Sequence, residues 1–201
     1  MLTLTRRKGE RIQIGNDIHV KILSISRGRV RIGIDAPREL AVHRGELIDR
    51  VMEENQRAMG APVNVQTALE HALTFPAGLF GLPDETSFVL CDTDEGDHFQ
   101  ALVSVANPAL QILVVDAELV WPDYPIEEAK IAAGLDDEEV AVAAVVTARP
   151  GTPPTVNLVA PLVIGLSTRV GKQQILDHDD LSVRHTLVAQ GPGQMTAAPL
   201  S

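Results

Sequence analysis

Val30–Leu47 reads VRIGIDAPRELAVHRGEL, and its apolar spacing changes part-way along. Val30, Ile32 and Ile34 alternate with Arg31 and Gly33, the two-residue period of a strand. Pro37 has no N–H to offer a ladder and ends that strand. Leu40–Arg44 reads as one more short strand. From Gly45 the spacing becomes helical: Leu47, Ile48, Val51 and Met52 share a side, Glu53, Glu54 and Arg57 are polar, and the helix runs to Ala58. Toward the N-terminus the strands stay short. Leu2–Arg6 alternates apolar and polar residues. Gly9 and Gly15-Asn16-Asp17 are turn signals on either side of Ile12–Ile14. Ile18–Ile25 alternates again, and Arg27-Gly28 makes the next turn. The unit is therefore five short strands and a C-terminal helix. About 58 residues is marginal for a lone core, and short strands leave edges that want pairing. Dimerisation by strand exchange solves both problems.

Downstream, Gly60 and Pro62 break the helix. The linker is placed at 59–66, with Thr67–Leu73 open between strand and helix. From Thr74 β signals dominate. Strand candidates are Ser87–Cys91, Gln100–Val105, Gln111–Val115, Val140–Thr147, Val156–Ile164 and Gln173–Leu176, separated by Gly, Pro, Asp and Asn clusters. Ile126–Leu135 reads as a short helix. This spacing suggests a sandwich or barrel. The expected fold class is thus mainly β: domain 1–58, then an all-β barrel-like domain over 67–187, then a disordered tail over 188–201.

Charge supports two domains. Up to Ala58 there are 12 Lys and Arg against 8 Asp and Glu; beyond it there are 5 against 19. The net charge of −10 hides that reversal. A basic unit can bind a polyanion and an acidic neighbour can oppose it, or each charge set can simply keep its domain soluble. Aromatics are only 3%, so the core must rest on Val, Leu, Ile and Ala. The single cysteine, Cys91, allows no intrachain disulfide and is read as packed in a strand. With no signal-peptide pattern and no membrane-length apolar run, a soluble cytoplasmic protein is expected.

Two strings in the first unit, LTRRKGE (Leu4–Glu10) and VRIGIDAPRELAVHRGEL, resemble the carbon storage regulator family, CsrA or RsmA, in register from Met1 to about Arg57. The rest resembles the flagellar assembly factor FliW. The strings are TFPAGLFGLP (Thr74–Pro83), SVANPALQILVVD (Ser104–Asp116), WPDYPIE (Trp121–Glu127), VNLVAPLVI (Val156–Ile164), GKQQIL (Gly171–Leu176) and VRH (Val183–His185). The family's N-terminal strand is poorly matched between Pro62 and Leu73.

These resemblances imply sites. Arg6-Arg7-Lys8 alone is either a solvated basic run or a phosphate and base reader; Arg offers a rigid donor fork that suits a guanine edge. Val42-His43-Arg44 alone is an ordinary edge strand. In the CsrA family the first strand of one protomer lies beside the last strand of the other, and the groove binds GGA-containing hairpin loops. By position Leu4, Thr5, Arg6 and Arg7 supply one wall; Ala36, Pro37, Arg38, Val42, His43 and Arg44 supply the other. Asp35 stands where the family often has Asn. The helix caps its own core, and in the family it also docks FliW, which assigns Leu47, Val51, Glu54 and Asn55 to a protein interface. Trp121, Asp123 and Tyr124 read either as a buried Trp with a turn or as an interface anchor.

The implied function is a homodimeric post-transcriptional regulator. It binds mRNA leaders near ribosome-binding sites, its fused FliW-like domain antagonises that binding, and that domain binds flagellin. A flexible linker of this length spans roughly 15–19 Å and gives an effective concentration on the order of mM. The alternative is a flagellin-binding assembly factor or chaperone that keeps the N-terminal unit for dimerisation. No cofactor, metal or enzyme activity is expected. His178-Asp179-Asp180 with His185 reads as a polar loop, and the phosphate-loop, dinucleotide and paired-Cys patterns are missing.

Overall fold

In the computed structural model of the chain, Arg27 and Gly28 both take positive φ, 45° and 78°. That left-handed pair is what a two-residue hairpin turn needs, and glycine supplies half of it without strain. The structure describes residues 1–37, 40–59, 65–68, 72–94, 98–189 and 195–197. The turn joins β2 (Ile18–Ser26) to β3 (Arg29–Asp35), and β1 (Arg11–Ile14) pairs with the other side of β2. Ile12 faces Val20, Val20 faces Ile34 and Ile22 faces Ile32, with a bulge between Ile22 and Ser24.

Three of the five strands expected here are therefore present in the single chain. Among the described residues Leu2–Arg6 and Leu40–Arg44 form no ladder. The chain divides into two units, Met1–Val42 and His43–Ser201. Among the described residues of Met1–Val42 none is buried. Ile14, Ile25, Val30, Ile32 and Ile34 are 44–57% exposed. Their alternation is the expected one, but the sheet has nothing of its own to cover it.

The second unit opens with α1 (Gly45–Ala58), with Glu46 in its first turn and Arg57 in its last, each favourable to the helix dipole. There follow β4 (Val65–Ala68), β5 (Leu73–Thr74), β6 (Ser87–Thr93), β7 (Phe99–Ser104) and β8 (Gln111–Asp116). Then come α2 (Ala117–Val120), α3 (Ile126–Ala133), β9 (Val140–Arg149), β10 (Thr152–Gly165), β11 (Gly171–Gln173), β12 (His185–Ala189) and β13 (Met195–Ala197). The antiparallel order is β13-β12-β10-β9-β8-β7-β6-β4, with β11 on β10 and β5 on β6. A parallel bridge between Thr74 and Val170 links β5 to the residue before β11. The path from β10 through β9, β8, β7, β6 and β5 thus returns to β10, which makes the sheet barrel-like.

Local chemistry explains the ends. Asp116 caps α2 by accepting from Glu118 N at 2.8 Å. Gly134, at φ 73°, ends α3 in a Schellman turn, with Gly134 N donating to Ile131 O and Leu135 N to Lys130 O, so the helix stops short of Leu135. In β10 the register shifts between Asn157 and Leu162, and Asn157 Oδ1 accepts from Val159 N and Ala160 N. Its amide replaces ladder partners that the bulge removes. The strand expected to reach Leu176 ends at Gln173; Gln174 N and Leu176 N instead make single bonds to Pro161 O and Val159 O.

Two further readings shift. Val65 and Gln66, placed in the linker, belong to β4, which pairs with β6 at the poorly matched edge. Val188, Ala189 and Met195–Ala197, placed in a disordered tail, lie in β12 and β13. Backbone pairing at a sheet edge needs no apolar periodicity, so the side chains carried no sign of it.

The core is aliphatic, as the composition requires. Phe75 and Phe88 are fully buried and meet edge to face, ring centres 5.6 Å apart. A Cβ on Gly171 would lie 2.6 Å from the Phe75 ring. Gly171→Ala is therefore expected to cost about 1–3 kcal/mol by overpacking, read as a lower urea midpoint at unchanged slope.

Candidate nucleic-acid interface and helix docking site

The N-terminal residues assigned to RNA lie in exposed, extended chain. Leu4, Thr5, Arg6 and Arg7 are exposed, with Arg6 Nη1 donating to its neighbour Thr5 O at 2.9 Å. A turn at Lys8-Gly9 fixes where this segment leaves the sheet. Glu10 N donates to Arg7 O, Arg7 N donates to Glu10 Oε2 at 2.7 Å, and Gly9 N donates to Ile22 O on β2. Ala36 and Pro37 are half-buried, Leu40 N donates to Pro37 O, and Val42 is exposed. Arg38 lies outside the described residues.

His43 and Arg44 fold with the second unit. Arg44 is the N-cap residue of α1, and its Nη2 donates to Asp177 Oδ1. His43 is half-buried, and that burial lowers its imidazole pKa; Asp177 opposes the shift and Lys172 adds to it.

The buried face of α1 is both packed and hydrogen-bonded. Val51 is fully buried, Ala58 is buried two turns further on, and Leu47 and Ile48 pack against the cluster that holds Val51. The spacing is that of one helix face. Two polar residues share it, and both are satisfied. Asn55 Nδ2 donates to Phe80 O at 2.9 Å and to Gln173 Oε1 at 2.7 Å. Gln173 Nε2 returns a bond to Asn55 Oδ1 at 3.2 Å and another to Ala160 O at 3.1 Å, and Phe80 N donates to Gln173 Oε1. Glu54, 4% exposed, accepts from Arg57 Nη1 at 2.7 Å and from Arg184 Nε. A buried amide or carboxylate without partners costs 1–3 kcal/mol or more, so these bonds make the docking specific to one register.

All four helix residues assigned to a protein interface thus sit against the β unit of the same chain. Nothing in the sequence singled out their polar partners Phe80, Gln173 and Arg184, or Asp177, which pairs with Arg44. Gln173 and Arg184 do lie in the strings GKQQIL and VRH, but nothing local pairs Gln173 with Asn55, 118 positions away. The Trp121 group divides. Tyr124 is buried, its hydroxyl donating to Leu158 O at 2.6 Å, and burial pushes its pKa well up. Trp121 is half-buried, edge-on to the His185 ring at 5.6 Å, and Asp123 is exposed. Among the described residues no three His, Cys, Asp or Glu are grouped to hold a metal, and no helix is long and apolar enough to cross a membrane.

A profile of the FliW protein family matches residues 57–187, and a profile of the global regulator protein family CsrA matches residues 1–53. The chain belongs to both families, CsrA first and FliW after it. The flagellar assembly factor FliW of Oceanobacillus iheyensis is 34% identical over 127 residues, 59% of this chain and 84% of that one. The translational regulator CsrA of Bacillus subtilis is 44% identical over 69 residues, 34% of this chain and 93% of that one. A crystal structure of the flagellar assembly factor FliW superposes with a TM-score of 0.51 at 26% identity, covering 61% of this chain and 89% of that chain. Helix α1 begins inside the CsrA match yet folds into the FliW-like unit.

Asn55→Ala removes the amide that Phe80 O and Gln173 use. It is expected to cost about 1–3 kcal/mol, measured by urea unfolding of the full chain.

Proposed function

We propose that this chain is a self-inhibited translational regulator. Its CsrA-like part binds GGA-containing hairpin loops in mRNA leaders near ribosome-binding sites, and its FliW-like part restrains that binding. The observation that supports the reading is α1, which begins inside the CsrA match and buries one face on the chain's own FliW-like unit.

Two further facts support it. The open apolar face of the β1-β2-β3 sheet fits a second copy of the chain, which would pair Leu2–Arg6 of one protomer with Leu40–Arg44 of its partner and create two equal RNA grooves. The walls would carry Leu4, Arg6 and Arg44 as principal contacts, because arginine forks and exposed backbone suit unstacked guanines. The charge reversal, 12 basic against 8 acidic residues and then 5 against 19, gives the second part of the chain a net charge that repels phosphate. Flagellin, or a ligand like it, is the proposed releasing partner, which fits a cytoplasmic regulator of flagellar genes. The complete buried core of the FliW-like unit favours a second reading, a flagellin-binding assembly factor or chaperone whose N-terminal part serves dimerisation.

The test is RNA affinity of the full chain, at stated salt, for a GGA hairpin and a scrambled control. Arg44→Ala is expected to weaken GGA binding by about tenfold or more, the loss of one charge-assisted contact. Asn55→Ala, which loosens docking, is expected to tighten it by about 5–150-fold, the range that 1–3 kcal/mol of coupling allows. Unchanged affinity on loosening removes self-inhibition. Capture of flagellin with no GGA-specific RNA binding in any variant selects the second reading.

A further inference from the structure

Of the described residues assigned to the RNA groove, only His43 and Arg44 fold with the FliW-like unit, and one carboxylate acts on both. Arg44 Nη2 donates to Asp177 Oδ1, and the two side chains are 57% and 61% exposed. The pair is held from both ends. Arg44 is fixed as the N-cap residue of the docked helix. Asp177 follows buried Leu176, whose N–H donates to Val159 O at 2.8 Å, so it stands on the barrel wall. Asp177 also acts on His43. A cleft of about 280 Å³ opens beside the pair, lined among others by Arg44, Arg50, Asp177, His178 and Asp179.

A carboxylate offers a guanidinium the same kind of charged oxygen that a phosphate does. We infer that Asp177 is a built-in phosphate mimic, occupying the Arg44 guanidinium that RNA would otherwise engage. The FliW-like unit then competes with RNA at one contact directly, in addition to holding α1. The inference rests on the RNA-binding reading above. Magnitude sets its share: an exposed ion pair is worth at most about fivefold in an equilibrium constant, so Asp177 masks Arg44 without locking it. A mask of that strength yields to a polyanion that brings several phosphates at once.

The experiment is fluorescence anisotropy of a labelled GGA hairpin with the full chain at about 50 mM salt, where phosphate contacts are strong. Asp177→Asn is expected to tighten binding roughly two- to fivefold. Asp179→Asn removes the same charge from the same stretch and is expected to give less than half that gain. In an Arg44→Ala background the Asp177→Asn gain should vanish. Equal gains from the two Asn variants, or a gain that survives Arg44→Ala, overturn the mimic and leave general repulsion in its place. If Arg44→Ala does not weaken GGA binding, the RNA-binding reading itself has failed, and the inference with it.

Discussion

The reciprocal amide pair between Asn55 and Gln173 is the constraint on which the rest of this molecule turns. Burying Val51 supplies much of the driving force, about 1.5–3 kcal/mol for a full aliphatic side chain. That force has no direction, and a helix could slide along an aliphatic barrel with little loss. The amides forbid sliding. Asn55 must meet both Phe80 O and Gln173 Oε1, while Gln173 must keep Ala160 O, so a displacement of one residue strands several buried polar groups at once. Arg44, at the start of the same helix, is placed on Asp177 by that register.

The two units differ in how they treat their apolar residues. In the FliW-like unit the path closes through Thr74 and Val170, and its apolar side chains are buried in two core clusters. In the CsrA-like unit the sheet is three strands with one apolar face open. A short meander of this kind gains little from folding alone. The same alternation of Val30, Ile32 and Ile34 that makes a strand also makes it dependent on something outside its own sheet.

Much of this was legible in the residues. Alternation located β2, β3 and most strands of the barrel, and helical spacing located α1, because both periods report backbone geometry directly. The two families were readable from long contiguous strings. What was not legible depends on distant pairing. Leu40–Arg44 has strand-like residues but no strand partner among the described residues. Met195–Ala197 has a partner, β12, but no pattern. Glu54 reads only as polar from its spacing and as an interface residue through the family; its partner Arg184, 130 positions away, is legible from neither. Asp177 sat next to a stretch read as a plain polar loop, and its significance comes only from where α1 delivers Arg44.

One consequence of α1 concerns quantity. The helix is covalently continuous with both parts, so each CsrA-like part arrives with one FliW-like part. Their ratio is one to one at every expression level, and changing the synthesis of the chain scales both together. A pair encoded as separate proteins can be tuned by making more of either. Here stoichiometry is removed as a control variable, and under the proposed self-inhibition only occupancy of the docking face is left to change the output.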